Sequence, residues 1–393
     1  MVRAVVTSYR GRFLYALLDE DGFQELRLFR ESSLLGRIVL GRVEKQIKNI
    51  GSGFVRLSPD SCGFLDGGDV KAETVLPVQI VKEGRGDKKH GVSKKLSLFG
   101  RYCAVLYAGK PSGKLLFSGR LQPEEKNKLR ESFLATFGES NLSPRYDVLL
   151  RTNAARVDFS EVVGEIKKLS DKMDSILLVQ DKRTDYSLLY EPPAELIREL
   201  YRIDLNAPLE IRTDLPEEYE RIKKEFLEGL PEELKNRVSI TLYQDELLSL
   251  FHFEGLEAEI KRALDRRVWL KSGGSIVIEQ TEALVSIDVN TARIDKKKEK
   301  EDTILFVNLE AAREAARQIR LRNLSGIIII DFINMDRKED EERLIRELRL
   351  AIEKDSVKTS FIELTKLGLA ELTRKREGST LSEMIREACP EEK

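Results

Sequence analysis

Two aspartates stand where strand-like apolar runs end. In ALVSIDVN, apolar and polar positions alternate as far as Asp288, with Asn290 two positions on; in GIIIIDF a continuous apolar run stops at Asp331. Residues two apart on a strand face the same side, so Asp288 and Asn290 can address one ligand. The isoleucine run predicts a fully buried strand. A carboxylate ending such a strand is costly unless it is paired, hydrogen-bonded or bound to a cation. If the two strands are neighbours, two carboxylates and an amide oxygen converge. These are hard donors, the set that suits Mg²⁺ together with retained waters and a phosphate oxygen. Such an ion lowers the pKa of a water and neutralises charge on a pentacovalent phosphate. A lone aspartate at a strand end ordinarily caps the turn or helix that follows. The partnership with Asn290 and the surrounding sequence argue for the metal.

Other chemistries are poorly supplied. His90 and His252 are the only histidines, neither has Cys or His at ligand spacing, and no G-x-S-x-G elbow accompanies them. A zinc site of the usual kind and a serine triad are therefore not expected. Cys62, Cys103 and Cys389 are odd in number and show no C-x-x-C spacing, which fits a reducing compartment without a disulfide framework. No apolar run reaches about 18 residues and no secretory leader is readable, so the expectation is a soluble, cytoplasmic protein. Charged residues make up 34% of the 393 but the net charge is −1. Any nucleic-acid site must come from local clustering rather than bulk charge.

The elements that would carry these residues read as α/β. Residues 1–34 alternate like half-buried strands, and from Leu35 short β-runs with glycine punctuation predict a small barrel of the oligonucleotide-binding type. The polar, basic stretch from Lys82 to Lys95 reads as a loop whose Lys88, Lys89, Lys94 and Lys95 can reach phosphates, none singled out. Phe54 and Phe64 fall on barrel strands. A phenylalanine there is ordinarily core, but exposed ones stack on bases. Residues 101–200 mix strands and helices, and YDVLLRTNAA sets Arg151 and Thr152 after an apolar strand, a guanidinium and hydroxyl able to hold a phosphate. In the helix predicted over 308–322, Arg313, Arg317 and Arg320 share a face, with Ala312, Ala316 and Ile319 on another. That arginine face is either paired with Glu310 and Glu314 or aimed at phosphates near the metal.

The segments GGSIVIEQTEALVSIDVNTAR and NLEAAREAARQIRLRNLSGIIIIDFINM resemble the catalytic core of the ribonuclease E/G family, and a weaker resemblance covers nearly the whole chain. It implies a multi-subdomain α/β protein. Residues 1–34 with 198–263 would be RNase H-like, 35–100 an S1-like OB-fold barrel, 101–197 a 5′-sensor and 264–388 a DNase I-like catalytic part. It implies a Mg²⁺-dependent (or Mn²⁺-dependent) endoribonuclease of rRNA processing and mRNA decay that hydrolyses single-stranded RNA to 5′-phosphate and 3′-hydroxyl ends. The metal carboxylates would be Asp288 and Asp331 and the supporting amide Asn290. Phe54 and Phe64 would stack on RNA, Arg151 and Thr152 would take its 5′-monophosphate, and Lys358 falls where the family usually has another basic residue near that pocket.

The chain departs from the family at REACPEEK, residues 386–393. Cys389 matches the first cysteine of a C-P-x-C zinc link, but Glu392 replaces the second, so 389–393 reads as a remnant and Zn²⁺-linked dimerisation is not expected. A homodimer or homo-oligomer through another interface stays open. The competing readings are an RNA-binding protein that keeps the fold with little cleavage, and a phosphoesterase acting on DNA or small esters.

Overall fold

The computed structural model describes residues 1–393 except 30–32, 48–50, 68–69, 85–88, 111, 139–145, 180–181, 292–299 and 389–393. The chain forms two compact units, Ser32–Asn206 and the pair of segments Met1–Glu31 with Ala207–Lys393. The second unit begins with an antiparallel meander, β1 (Val2–Tyr9), β2 (Arg12–Asp19) and β3 (Gly22–Phe29). Arg10 and Gly11 join β1 to β2 with φ of 51° and 72°, a two-residue turn whose twist matches that of the strands.

In the Ser32–Asn206 unit, β4 (Ile38–Ile47), β5 (Ser52–Ser58), β6 (Ser61–Leu65), β7 (Val75–Lys82) and β8 (His90–Ser93) run in the order β4-β5-β6-β8-β7, and a β4–β7 pairing closes them into a five-stranded barrel. Alternate residues Val43, Val55, Leu57, Leu65, Val78 and Val92 fill it. Part of the stretch read as a loop from Lys82 to Lys95 is therefore strand β8, tied down where Gly84 N–H donates to His90 Nδ1 at 3.1 Å.

A four-stranded sheet follows in the order β11-β12-β10-β9, from β9 (Leu96–Phe99), β10 (Cys103–Tyr107), β11 (Leu115–Phe117) and β12 (Asp147–Leu150). Helices α1 (Pro123–Phe137) and α2 (Phe159–Val179) bury Leu129, Phe133, Val162 and Ile166 against it. Strand β13 (Leu188–Tyr190) returns to pair with β4, and α3 (Glu195–Leu200) ends the unit. The barrel and the 101–197 segment thus interleave: β9 leaves the first for the second sheet, and β13 does the reverse.

Back in the other unit, β14 (Leu209–Thr213) pairs parallel with β1, completing a sheet β15-β14-β1-β2-β3 with β15 (Val238–Leu242). Helix α4 (Pro216–Ile222) and the turn after it, then α5 (Glu232–Lys235), bridge β14 to β15; α6 (Leu250–Phe253) and α7 (Leu256–Leu264) follow. The last sheet holds β16 (Arg267–Trp269), β17 (Ser275–Gln280), β18 (Leu284–Asn290), β19 (Gly326–Asp331), β20 (Thr359–Leu364) and β21 (Leu369–Arg374) in the order β16-β17-β18-β19-β21-β20. Helix α8 (Lys300–Leu321) is the crossover that makes β18 and β19 parallel neighbours, α9 (Lys338–Glu353) packs beside α8, and α10 (Leu381–Ala388) closes the described chain.

Helices α8 and α9 cover one face of this sheet, with Ala311, Ala312, Ala315, Ala316, Leu344 and Leu348 packed on Ile276, Ile287, Val289, Ile328 and Ile330. The other face is the more open one: Asp288, Asn290, Ile327 and Asp331 are exposed on it, while Ser275 on it is buried. The isoleucine run is consequently not a fully buried strand: Ile328 and Ile330 are 0% exposed, while Ile327 is 52% exposed and Ile329 is half-buried. A strand covered on one side alternates whatever its residue types.

Candidate active site

Asp288 and Asp331 are register partners across the parallel β18–β19 pair, and both are exposed on the open face of the sheet. Neighbouring strands lie about 4.8 Å apart, so the two carboxylates stand side by side. Asp331 is thus not desolvated; what marks the pair is its unbalanced charge. Among the described residues neither carboxylate has a cationic partner, and like charges directly opposite each other on a sheet cost about 0.2–1 kcal/mol. Asn290, also exposed on this face, donates Nδ2–H to Asp288 Oδ2 at 2.7 Å. That bond orients the carboxylate and leaves the amide oxygen as an acceptor. No group of three or more His, Cys, Asp or Glu able to hold an ion occurs among the described residues. A cation site here is of the two-carboxylate kind, which fits Mg²⁺ with its retained waters.

The supports for this pair come from the covered side. Asn308, 0% exposed on α8, donates Nδ2–H to the Ile333 carbonyl at 2.8 Å and accepts Ile333 N–H at 3.1 Å, clamping the chain two residues past Asp331. A polar residue on the otherwise apolar stripe Ile304, Leu305, Ala311, Ala312 was the available sequence signal. Replacing Asn308 with Ala strands both Ile333 groups and is expected to destabilise by about 1–3 kcal/mol, read as a lower melting temperature. Behind Asn290, a Cβ on Gly274 would lie 3.0 Å from the Asn290 carbonyl and 3.2 Å from Val307 Cγ1, so only glycine lets these strands approach.

The arginines of α8 are not brought to the carboxylates. The helix lies on the covered face, and its arginines are engaged in holding elements together. Arg313 pairs with Glu347 of α9 at 2.6 Å. Arg317 pairs with Glu314 and Glu259 and donates to the Phe23 carbonyl. Arg320, 6% exposed, donates to the Ala351 carbonyl and Gln24. Of the two expected acidic partners Glu314 serves, whereas Glu310 accepts the Lys271 and Ser272 N–H groups of the β16–β17 turn. Lys358 is exposed just before β20, at the Gly326 end of the sheet and not at the Asp331 end.

In the Ser32–Asn206 unit, Phe54 and Phe64 are register partners on the outer side of the barrel, half-buried, with ring centroids 5.7 Å apart. Lys45 opposes Phe54, while Gly91 opposes Phe64 and Lys82 opposes Gly91, so two adjacent aromatic rings are flanked by exposed lysines. Sequence reasoning missed Lys45 and Lys82 because barrel closure decides which strands are adjacent. Lys89 and Lys95 are exposed and Lys94 is half-buried; Lys88 and Cys389 lie outside the described residues.

Arg151 leaves β12, donates to the Gly100 carbonyl, and has its pKa depressed to about 10 by burial and then by the charge of Arg202. Glu165 and Glu199 partly offset that repulsion, and Arg202 is itself paired with Glu199 at 3.4 Å. Thr152 Oγ1 lies 3.2 Å from Ser118 Oγ. Glu165 shapes this corner by accepting the N–H groups of Arg101, Tyr102 and Cys103, and a Cβ at Gly100 would stand 2.3 Å from its carboxyl carbon.

A family model described as the ribonuclease E/G family matches residues 97–377. Ribonuclease E of Synechocystis is 32% identical over 396 residues, 96% of this chain and 57% of that protein. Ribonuclease G of Escherichia coli is 30% identical over 413 residues, 98% of this chain and 81% of that protein. Ribonuclease G of Haemophilus influenzae is 30% identical over 402 residues, 95% of this chain and 79% of that protein.

Proposed function

The chain belongs to the ribonuclease E/G family, and we propose that it is an endoribonuclease of RNA processing and decay that hydrolyses single-stranded RNA with Mg²⁺ (Mn²⁺ serving in its place), leaving 5′-phosphate and 3′-hydroxyl ends. The single observation that carries the reading is the solvent-facing, in-register pair Asp288 and Asp331, which lacks a cationic partner among the described residues. On this reading the β1–β3 and β14–β15 sheet is the RNase H-like part, the barrel the S1-like part, and the β16–β21 sheet the DNase I-like part.

Asp288 and Asp331 would hold the ion, and Asn290 would keep Asp288 oriented towards it. The ion supplies Lewis-acid stabilisation of charge on the phosphate. Water adds to phosphorus, the bond from phosphorus to the 3′-oxygen breaks, and that oxygen leaves with a proton. Phe54 and Phe64 stack bases while Lys45 and Lys82 neutralise phosphates beside them. Arg151 and Thr152 take a terminal 5′-phosphate. Lys358, which is exposed, is kept as a further phosphate contact, whereas Arg313 and Arg317, engaged in ion pairs, are given none.

The test is incubation of the full chain with 5′-monophosphorylated single-stranded RNA and the matched DNA, in MgCl₂ and in EDTA. The expected result is RNA cleavage with ligatable 5′-phosphate products, loss of cleavage in EDTA, and intact DNA. RNA bound but never cut would replace the enzyme reading with that of an RNA-binding protein. Replacing Phe54 or Phe64 with Ala is expected to weaken RNA binding on the order of ten-fold without unfolding the barrel, since both rings are outside its core. Fluorescence anisotropy of a labelled RNA checks this, and unchanged affinity in the double variant would remove the stacking role. No helix of the described residues is long and apolar enough to cross a membrane.

A further inference from the structure

The edge strand β16 carries side chains that the reading above does not use. Across the open face of the sheet, Arg267, Val277, Asp288 and Asp331 are successive register partners, and Trp269, Ser275 and Asn290 form the next row. Residues directly opposite share a face, so Arg267 and Trp269 stand on the same side as the carboxylates, two strand spacings or roughly 10 Å from Asp288 and Asn290. Between them lies a cavity of about 310 Å³ lined by Arg266, Arg267, Val277, Asp288 and Asn290. That volume is at the small end of ligand pockets, about 300 Å³ and upward.

Trp269 is the only tryptophan in the chain and is 68% exposed. An indole left in water offers a flat apolar face on which another ring can stack. The Arg267 guanidinium lies over its ring, 5.6 Å from the centroid. Arg266 next to it is paired with Glu279, whereas Arg267 makes no ion pair among the described residues. The platform is held in place: Leu270 N–H donates to the Gly274 carbonyl at 2.8 Å, and Glu310 accepts Lys271 N–H at 2.6 Å and Ser272 N–H at 3.1 Å.

We propose that β16 is a nucleotide subsite flanking the carboxylate pair, in which the Trp269 indole stacks on a base of single-stranded RNA and Arg267 takes the adjoining phosphate. The inference rests on the RNA reading above and extends it to a second stacking site. An exposed aromatic face beside an uncompensated guanidinium is the combination that grips single strands without reading sequence. Asp288 and Asn290 line the other side of the cavity, where the carboxylate pair would hold a cation able to offset a phosphate's charge. The nucleotide in the cavity would then span from Arg267 to the reacting phosphate.

The sole tryptophan makes the test direct. The full chain carrying Asp331→Asn, expected to cut too slowly to deplete the RNA, is titrated in MgCl₂ with an unlabelled ten-nucleotide single-stranded RNA while tryptophan emission is read. A 3′-fluorescein copy of the RNA gives affinity by anisotropy. The expected result is quenching that saturates with the same midpoint as the anisotropy. Trp269→Ala should weaken binding on the order of ten-fold, with Trp269→Phe restoring most of it. Arg267→Ala should lower the dependence of log affinity on log salt by about one. If RNA binds by anisotropy while Trp269 emission is unchanged and Trp269→Ala binds as tightly, the subsite is overturned and the RNA reading stands. If no RNA binds at all, both are overturned.

Discussion

Asp288→Asn and Asp331→Asn should each lower RNA cleavage by on the order of 10³-fold while leaving RNA binding intact. Each substitution keeps the shape of the side chain and removes one negative charge from a pair that, among the described residues, has no cation to balance it. The fold should tolerate the change, since both side chains are exposed and the loss of like-charge repulsion is mildly stabilising. Asn290→Ala should cost less, about 10–100-fold, because it removes the 2.7 Å hydrogen bond that orients Asp288 and not a charge. Single-turnover cleavage rates, with affinity measured separately, check this ordering. Cleavage retained by both aspartate variants would end the metal-pair mechanism.

Arg374→Met should be the most damaging single change to stability, by about 3–5 kcal/mol, or a fall in melting temperature on the order of 10 °C. The Arg374 side chain is 0% exposed and Asp355 is 2% exposed, with Nε to Oδ2 at 2.7 Å. The same guanidinium donates to Asn323 Oδ1 at 2.7 Å and to the Leu324 carbonyl at 2.9 Å, so its loss strands a buried carboxylate and two further acceptors. Burial alone would raise the Asp355 carboxyl. The hydrogen bond and charge of Arg374, with Val357 N–H and the Thr359 hydroxyl, outweigh it and hold Asp355 below its ordinary 3.8. A carboxyl depressed in the folded state contributes stability above about pH 4 that is lost as pH falls through the depressed value. In Arg374→Met the lone buried carboxyl takes up a proton more readily, so the gap to the native protein should narrow with acid. Melting curves from pH 7 down to about pH 3 test this; a gap that stays constant would mean the pair is not what holds the segment.

The polar residues of the run RQIRLRNL are likewise engaged by protein. Arg322 donates to Gln318 and the Asp265 carbonyl, and Asn323, at φ 51°, donates to the Glu377 and Ser379 carbonyls. The helical spacing of Arg313, Arg317 and Arg320 was legible, as was their shared face. Whether that face met RNA or protein was not, because the elements that receive it, β3 and α9, come from residues 22–29 and 338–353. Phe54 posed the same difficulty. Val55 beside it is equally apolar, and only closure of the barrel through β4 and β7 determines which of the two points inward.

By itself the sequence determined the identities and local patterns: an aspartate at the end of each of two apolar runs, Asn290 on the same side as Asp288, the small glycine-punctuated barrel, and the family motifs. These follow from periodicities of two and 3.6 residues and from turn chemistry, which act over a few neighbours. The tertiary structure decided that Asp288 and Asp331 are opposite each other, that their sheet is open on the side they face, and that Trp269 and Arg267 share that side. Strand order and the covering of one sheet face depend on contacts between segments far apart in the chain. Their free energy comes from burying surfaces together, and no short window of sequence contains both surfaces.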